Sequence, residues 1–122
     1  MKFTLESNAN VNLITAYGAG EIRVGERIVR GNVIITPDLI IENWPVASID
    51  TLDMTALEPA LALAPDLIVL GTGQQLRFPP RGLRAQVQAR NVGFEVMDTP
   101  AACRTYNVLV LEGRKVVATL LA

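Results

Sequence analysis

A chain of 122 residues is long enough for one hydrophobic core and too short for two. Half of its residues are apolar, 19% are charged and the formal net charge is −1, a globular balance with no basic surplus for nucleic acid or an anionic lipid surface. There is no histidine and a single cysteine, which excludes an internal disulfide and removes the commonest general base and metal ligand together.

The opening MKFTLESNAN has neither an apolar secretory core nor the Arg-rich character of a transit peptide. No apolar run approaches the ~20 residues of a membrane span. A cytoplasmic protein without a membrane span, without cofactor or metal, is the expectation.

Residues 11–43 are β-rich. Val11–Tyr17 runs into Gly18-Ala19-Gly20, and Glu21–Val24 alternates in polarity. Gly25-Glu26 offers a hairpin turn before Arg27–Arg30, and Gly31-Asn32 separates that run from Val33–Thr36. Pro37-Asp38 marks another turn before Leu39–Glu42. Such short spacings suit antiparallel hairpins, because parallel pairing needs a long crossover. Trp44, held extended by Pro45, reads as a large core or junction side chain at a strand end.

The period then changes. Thr55 is placed to cap a helix over Ala56–Leu63, with Glu58 completing a capping box. Pro59 would fall at its fourth position, where a missing N–H costs little. After Pro65, the run Leu67–Leu70 lacks alternation, as interior strands of a helix-covered sheet do. Gly82–Arg90 reads as a helix with Leu83 and Val87 on its apolar side, closed by a left-handed Asn91 with Val92 folding back. Phe94–Met97 is the next strand. Thr99 as N-cap and Pro100 at the first position open a helix over Pro100–Glu112 that stops at Gly113. Ala102, Cys103, Tyr106, Leu109 and Val110 share one arc of it, while Val108 and Leu111 interrupt the other, so cover on more than one side is expected. Val116–Leu121 supplies a last strand.

If the strands at 67–70 and 94–97 are parallel neighbours, Gly71, Thr72 and Gly73 meet Asp98 and Thr99 at the carboxyl edge of one sheet, where open α/β sheets place ligands. The glycine loop is not a dinucleotide fingerprint. Leu76 stands where the third glycine belongs, and Pro79 and Pro80 would break the phosphate-binding helix. It reads either as a turn leaving a crowded edge or as part of a small-anion site with Asp98, Thr99, Arg104 and Asn107 near a helix N-terminus. Asp98 and Arg104 could pair structurally or orient a substrate, and no two acids are spaced for acid–base work. Arg77, Phe78, Pro79 and Pro80 form an extended loop that either meets a protein partner or, through Phe78, lids the core. Cys103 reads as a buried structural thiol, since no histidine exists to activate it.

The runs GTGQQLRFPP, FEVMDTPAACRTYNVL and LEGRKVVATLL, with AYGAGEIRVGERIVRGNVIITPDLIIENWPV upstream, resemble a family of small Mth-type domain proteins of largely unassigned function. Met97 to Asn107 with Glu112-Gly113-Arg114 is the specific part. The family includes the adipogenesis-associated domain protein of animals and a mitochondrial assembly factor for respiratory complex I. This sequence resembles its free-standing bacterial members. The resemblance implies one α/β domain over residues 1–122 in three layers: a central mixed β-sheet, helices packed on it and an extra N-terminal β-hairpin layer. It also implies a protein-interaction or assembly role through a partner chain; a homo-oligomer is the other expectation, since dimers are common among small domains with apolar edges. The alternative reading is a small anionic-ligand-binding protein or enzyme using the Gly71–Gly73/Asp98–Arg104 edge.

Overall fold

The apolar runs become eight strands in two sheets in the computed structural model, which describes residues 11–122. The opening segment, on which the expectation of a leaderless start rests, lies outside the described residues. Strands β1 (Ile14–Gly18), β2 (Glu21–Val24) and β3 (Arg27–Arg30) form a three-stranded antiparallel sheet. The remaining strands are β4 (Val33–Ile35), β5 (Ile40–Glu42), β6 (Leu67–Thr72), β7 (Gly93–Met97) and β8 (Val116–Leu121). They order as β5-β4-β8-β6-β7 in a mixed sheet. Short hairpin connections keep β4 antiparallel to β5, and helical crossovers make β6 parallel to both β7 and β8.

Every residue of β6 and of β8 is buried, because the central sheet is covered on both faces. Successive side chains point to opposite sides. Ile68 and Leu70 join Trp44, Leu57, Leu83, Val87 and Phe94 in one core cluster, beneath helices α1 (Met54–Leu61) and α2 (Leu83–Gln88). Leu67 and Val69 join Ile22, Val29, Ile35, Cys103, Tyr106 and Ala118 in the other. The three-stranded sheet and helix α3 (Thr99–Leu111) cover that second face. The result is a mixed α/β domain with the layered plan expected from the sequence. Trp44 is buried, as read, and its Nε1 donates to the Ala56 carbonyl at 2.8 Å.

Several local expectations need correction. Helix α1 starts earlier than Ala56 and is capped by Asp53, whose carboxylate accepts from Ala56 N at 2.8 Å. A carboxylate suits the positive helix end better than the Thr55 hydroxyl. Pro59 therefore lies inside the helix, not in its first turn. Its ring leaves the Thr55 carbonyl without the usual i+4 donor, at an exposed position that water reaches. The capping box belongs instead to a short 3₁₀ turn at Ile49–Thr51, where the Ser48 hydroxyl accepts from Asp50 N at 3.2 Å and the Thr51 hydroxyl accepts from Ser48 N at 3.4 Å. In α3 the cap is Asp98, and Thr99 is the first helical residue. Val108 and Leu111 are 54% and 53% exposed, so the described residues do not cover the outer side of α3. The arc of Ala102, Cys103 and Tyr106 is buried as read, and Asn91 and Gly113 close α2 and α3 with positive φ.

Candidate functional site

The parallel register sets Gly71 beside Met97 and Thr72 beside Leu121. Beyond those pairs the chain ends of β6, β7 and β8 converge, and the first turn of α3 drops onto them. Gly71 has to be glycine here. A Cβ would lie 2.7 Å from Thr99 Oγ1, 2.9 Å from Leu120 Cδ2 and 3.0 Å from Thr99 Cα. The end of β6 thus admits the Thr99 side chain where a wider side chain at residue 71 would keep it out.

The Thr99 hydroxyl is buried and doubly used. It donates to the Leu121 carbonyl at 2.7 Å and accepts from Gly73 N at 2.8 Å. Thr99 N in turn donates to the Gly73 carbonyl at 2.8 Å. One residue therefore ties two strand ends to a helix start. Gly71, Gly73, Asp98 and Thr99 do meet, as the parallel pairing implies, and they fill the space between them. Ala101 N donates to Asp98 Oδ1 at 2.8 Å, and Pro100 has no N–H. The helix start has spent its donors within the chain, leaving none aimed at an anion.

The outlying members of that set do other work. Among the described residues Arg104 reaches no carboxylate; its Nη1 donates to the Tyr17 hydroxyl at 2.7 Å, on β1. The Asp98–Arg104 pair that the sequence allowed is not formed, because α3 turns the guanidinium towards the three-stranded sheet. Asn107 clamps the backbone of Ile14: Oδ1 accepts from its N–H at 2.9 Å and Nδ2 donates to its carbonyl at 2.8 Å. Tyr106 donates to the Asn12 carbonyl at 2.7 Å. Arg104 and Asn107 therefore tie α3 to β1, and Tyr106 ties it to Asn12 ahead of that strand. Cys103 is buried, as read, and burial pushes its thiol up to about 11 despite the neighbouring Arg104.

Thr72 turns the other way. Its hydroxyl donates to the Gln75 carbonyl at 2.7 Å and accepts from Arg77 N at 3.0 Å, folding the loop after β6 back on itself. Arg77 extends from that fold to Asp50, with Nη2 donating to Oδ2 at 3.1 Å and Oδ1 at 3.3 Å. Phe78 then stands 73% exposed, with Pro79 half-buried and Pro80 exposed beside it. Phe78 does not lid the core. Leu83 N returns to the Pro80 carbonyl at 3.2 Å, so both ends of the loop are tied down. Asp50 was not recognisable as a member of this loop, since it lies 27 residues from Arg77. Its only local signature is the Ser48/Thr51 cap that presents it.

Residues 14–121 match the family model described as a protein of unknown function (DUF498/DUF598). The chain is 38% identical over 108 residues to an uncharacterized protein of Rhodobacter capsulatus, spanning 88% of this chain and 82% of that one. It is 33% identical over 111 residues to the NADH dehydrogenase [ubiquinone] 1 alpha subcomplex assembly factor 3 of Bos taurus, spanning 88% of this chain and 59% of the bovine protein. Among solved structures, a Bordetella parapertussis protein superposes with a TM-score of 0.83 at 37% identity, over 91% of this chain and 95% of that one. A Mth938-like domain of Bordetella pertussis does so with 0.77 at 30% identity, over 90% and 85%. Among the described residues no helix is long and apolar enough to cross a membrane.

Proposed function

This chain belongs to the DUF498/DUF598 family, and from that premise we propose that it is a cytoplasmic protein-interaction module with an assembly role. Its contact surface is the loop Arg77-Phe78-Pro79-Pro80. The observation that carries this reading is Phe78, an aromatic ring 73% exposed on a loop that is anchored at both ends. Leaving a phenylalanine in water forgoes about 1.5–3 kcal/mol of burial. A pre-formed loop beside an arginine lowers the ordering cost of recovering it against another protein.

The bovine relative is by name an assembly factor for part of NADH dehydrogenase, and this chain spans about three-fifths of its length. By analogy, the partner of this chain is a subunit of a multi-protein complex during its assembly. The spent donors around Thr99 weigh against the alternative of a small anion held at the glycine edge, because such a ligand would first have to displace bonds already made.

The test is crosslinking and affinity recovery of the tagged chain from its native cells, beside Phe78→Ala. The expected result is a stoichiometric protein partner that the variant loses by about tenfold or more in affinity, the scale of a hot-spot aromatic, with its melting point unchanged. Recovery of no partner, or equal recovery by the variant, overturns the reading.

A further inference from the structure

The outer side of α3 is arranged symmetrically about Val108. Arg104 and Glu112 stand four residues to either side of it, and Thr105 and Leu111 stand three. On a helix these five share an arc of about 120°, with Ala101 near its middle. Val108 and Leu111 are half exposed, Arg104 and Glu112 are exposed, and Ala101 and Thr105 are half-buried. The face is a short apolar stripe with a cation at one end and a carboxylate at the other.

Among the described residues neither of these two charges forms an ion pair. The Tyr17 hydroxyl takes one N–H of the Arg104 guanidinium and fixes its direction, leaving the rest of its donor fork. Glu112 is placed against local preference. It is the C-cap of α3, at the negative end of the helix dipole, and no basic side chain lies in the last turn. A carboxylate there gains from a cation supplied by a second helix, and such breaches of a local rule mark functional surfaces.

We propose that two copies of the chain associate through this face, as an antiparallel α3–α3 pair with its twofold axis at Val108. A twofold contact has to be self-complementary, and the spacing makes this one so. Val108 meets Val108 of the second copy, Leu111 meets Thr105, and Arg104 meets Glu112, each unlike pair occurring twice. Charge also fixes the direction, because a parallel pair would set Arg104 on Arg104 and Glu112 on Glu112. One helix pair buries less than a standard interface, so the dimer is of the weak, reversible class. The face shares no residue with the Phe78 loop, and the two surfaces are independent.

Sedimentation equilibrium of the full chain tests it. Wild type is expected to approach dimer mass as its concentration rises to about 1 mM, and Val108→Asp, which sets two carboxylates face to face on the axis, to stay monomeric. Arg104→Glu and Glu112→Arg should each weaken self-association by about tenfold or more, because like charges then meet at both ends. Mixed together, those two variants should form a heterodimer at least as tight as the wild-type dimer, since every pair across the axis is again opposite in sign. Phe78→Ala should leave the dimer intact. The replaced α3 residues are exposed, and unchanged melting temperatures check that the fold is kept. Monomer mass for wild type at the highest concentration, a mixture that associates no better than its components, or loss of the dimer in Phe78→Ala overturns the proposal.

Discussion

Gly71 and Thr99 occupy one another's space: a methyl group on Gly71 would sit 2.7 Å from Thr99 Oγ1, a side chain that is itself held by two buried hydrogen bonds. Neither atom has room to yield. Gly71→Ala should therefore destabilise the domain by about 1–3 kcal/mol through overpacking. The denaturation midpoint in urea measures it, and an unchanged midpoint would show that the contact is slack.

Thr99→Val keeps the shape and removes the hydroxyl. Gly73 N and the Leu121 carbonyl lose their partner in a buried setting, each at a cost of about 1–3 kcal/mol. The loss should exceed that of Thr105→Val, a half-exposed control on the same helix. Hydrogen exchange at Gly73 should rise with it. Protection of that amide equal to wild type would mean that something else holds the strand ends together.

The parallel pairing behind this knot was legible in the sequence, because an unalternated LIVL run and a later apolar strand separated by a helix leave few other topologies. What fills the edge was not. Whether a glycine loop opens a cavity or admits a neighbouring side chain is decided by Thr99, whose rotamer no local pattern records. Caps slipped by one or two residues for a related reason: Asp53 and Thr55, or Asp98 and Thr99, are both good capping types, and packing of the next turn chooses between them. The Arg77–Asp50 pair joins segments distant in the chain, so only the fold could reveal it.

Asn107→Ala should loosen the outer sheet more than the core. Both polar groups of Ile14 lose their clamp, at about 1–3 kcal/mol. Amide exchange should accelerate across β1 and β2 while β6 and β8 keep their protection. Uniform acceleration through all eight strands would instead show that the two sheets unfold as one unit.

Stability should fall as the solution becomes alkaline. Burial raises the Cys103 thiol from 9.0 to about 11 in the folded chain, and Tyr106 moves up for the same reason, with Asp38 adding to it. In the unfolded chain these groups ionise earlier, so the unfolded state binds fewer protons and gains on the folded state as pH rises. The contribution of Cys103 is complete below pH 9 and is lost between about 9 and 11. Cys103→Val should flatten, and Cys103→Val with Tyr106→Phe should flatten further, the decline in melting temperature over that window. A wild-type melting temperature level from pH 8 to 11 would contradict the assignment.

Asp50 separates binding from stability. Its pair with Arg77 is exposed on both sides, so Asp50→Ala should change stability by less than about 1 kcal/mol. The guanidinium would nevertheless lose its tether, and the loop that presents Phe78 would have to be ordered again on each encounter. Freeing one long side chain costs about 0.5–1.5 kcal/mol when it is re-immobilised at an interface. Partner affinity should therefore drop about two- to tenfold in Asp50→Ala, less than in Phe78→Ala, with the loss in the variant paired with both changes smaller than the sum. Full additivity of the two, measured by titration calorimetry with the recovered partner, would show that Asp50 acts on the partner directly instead of through Arg77.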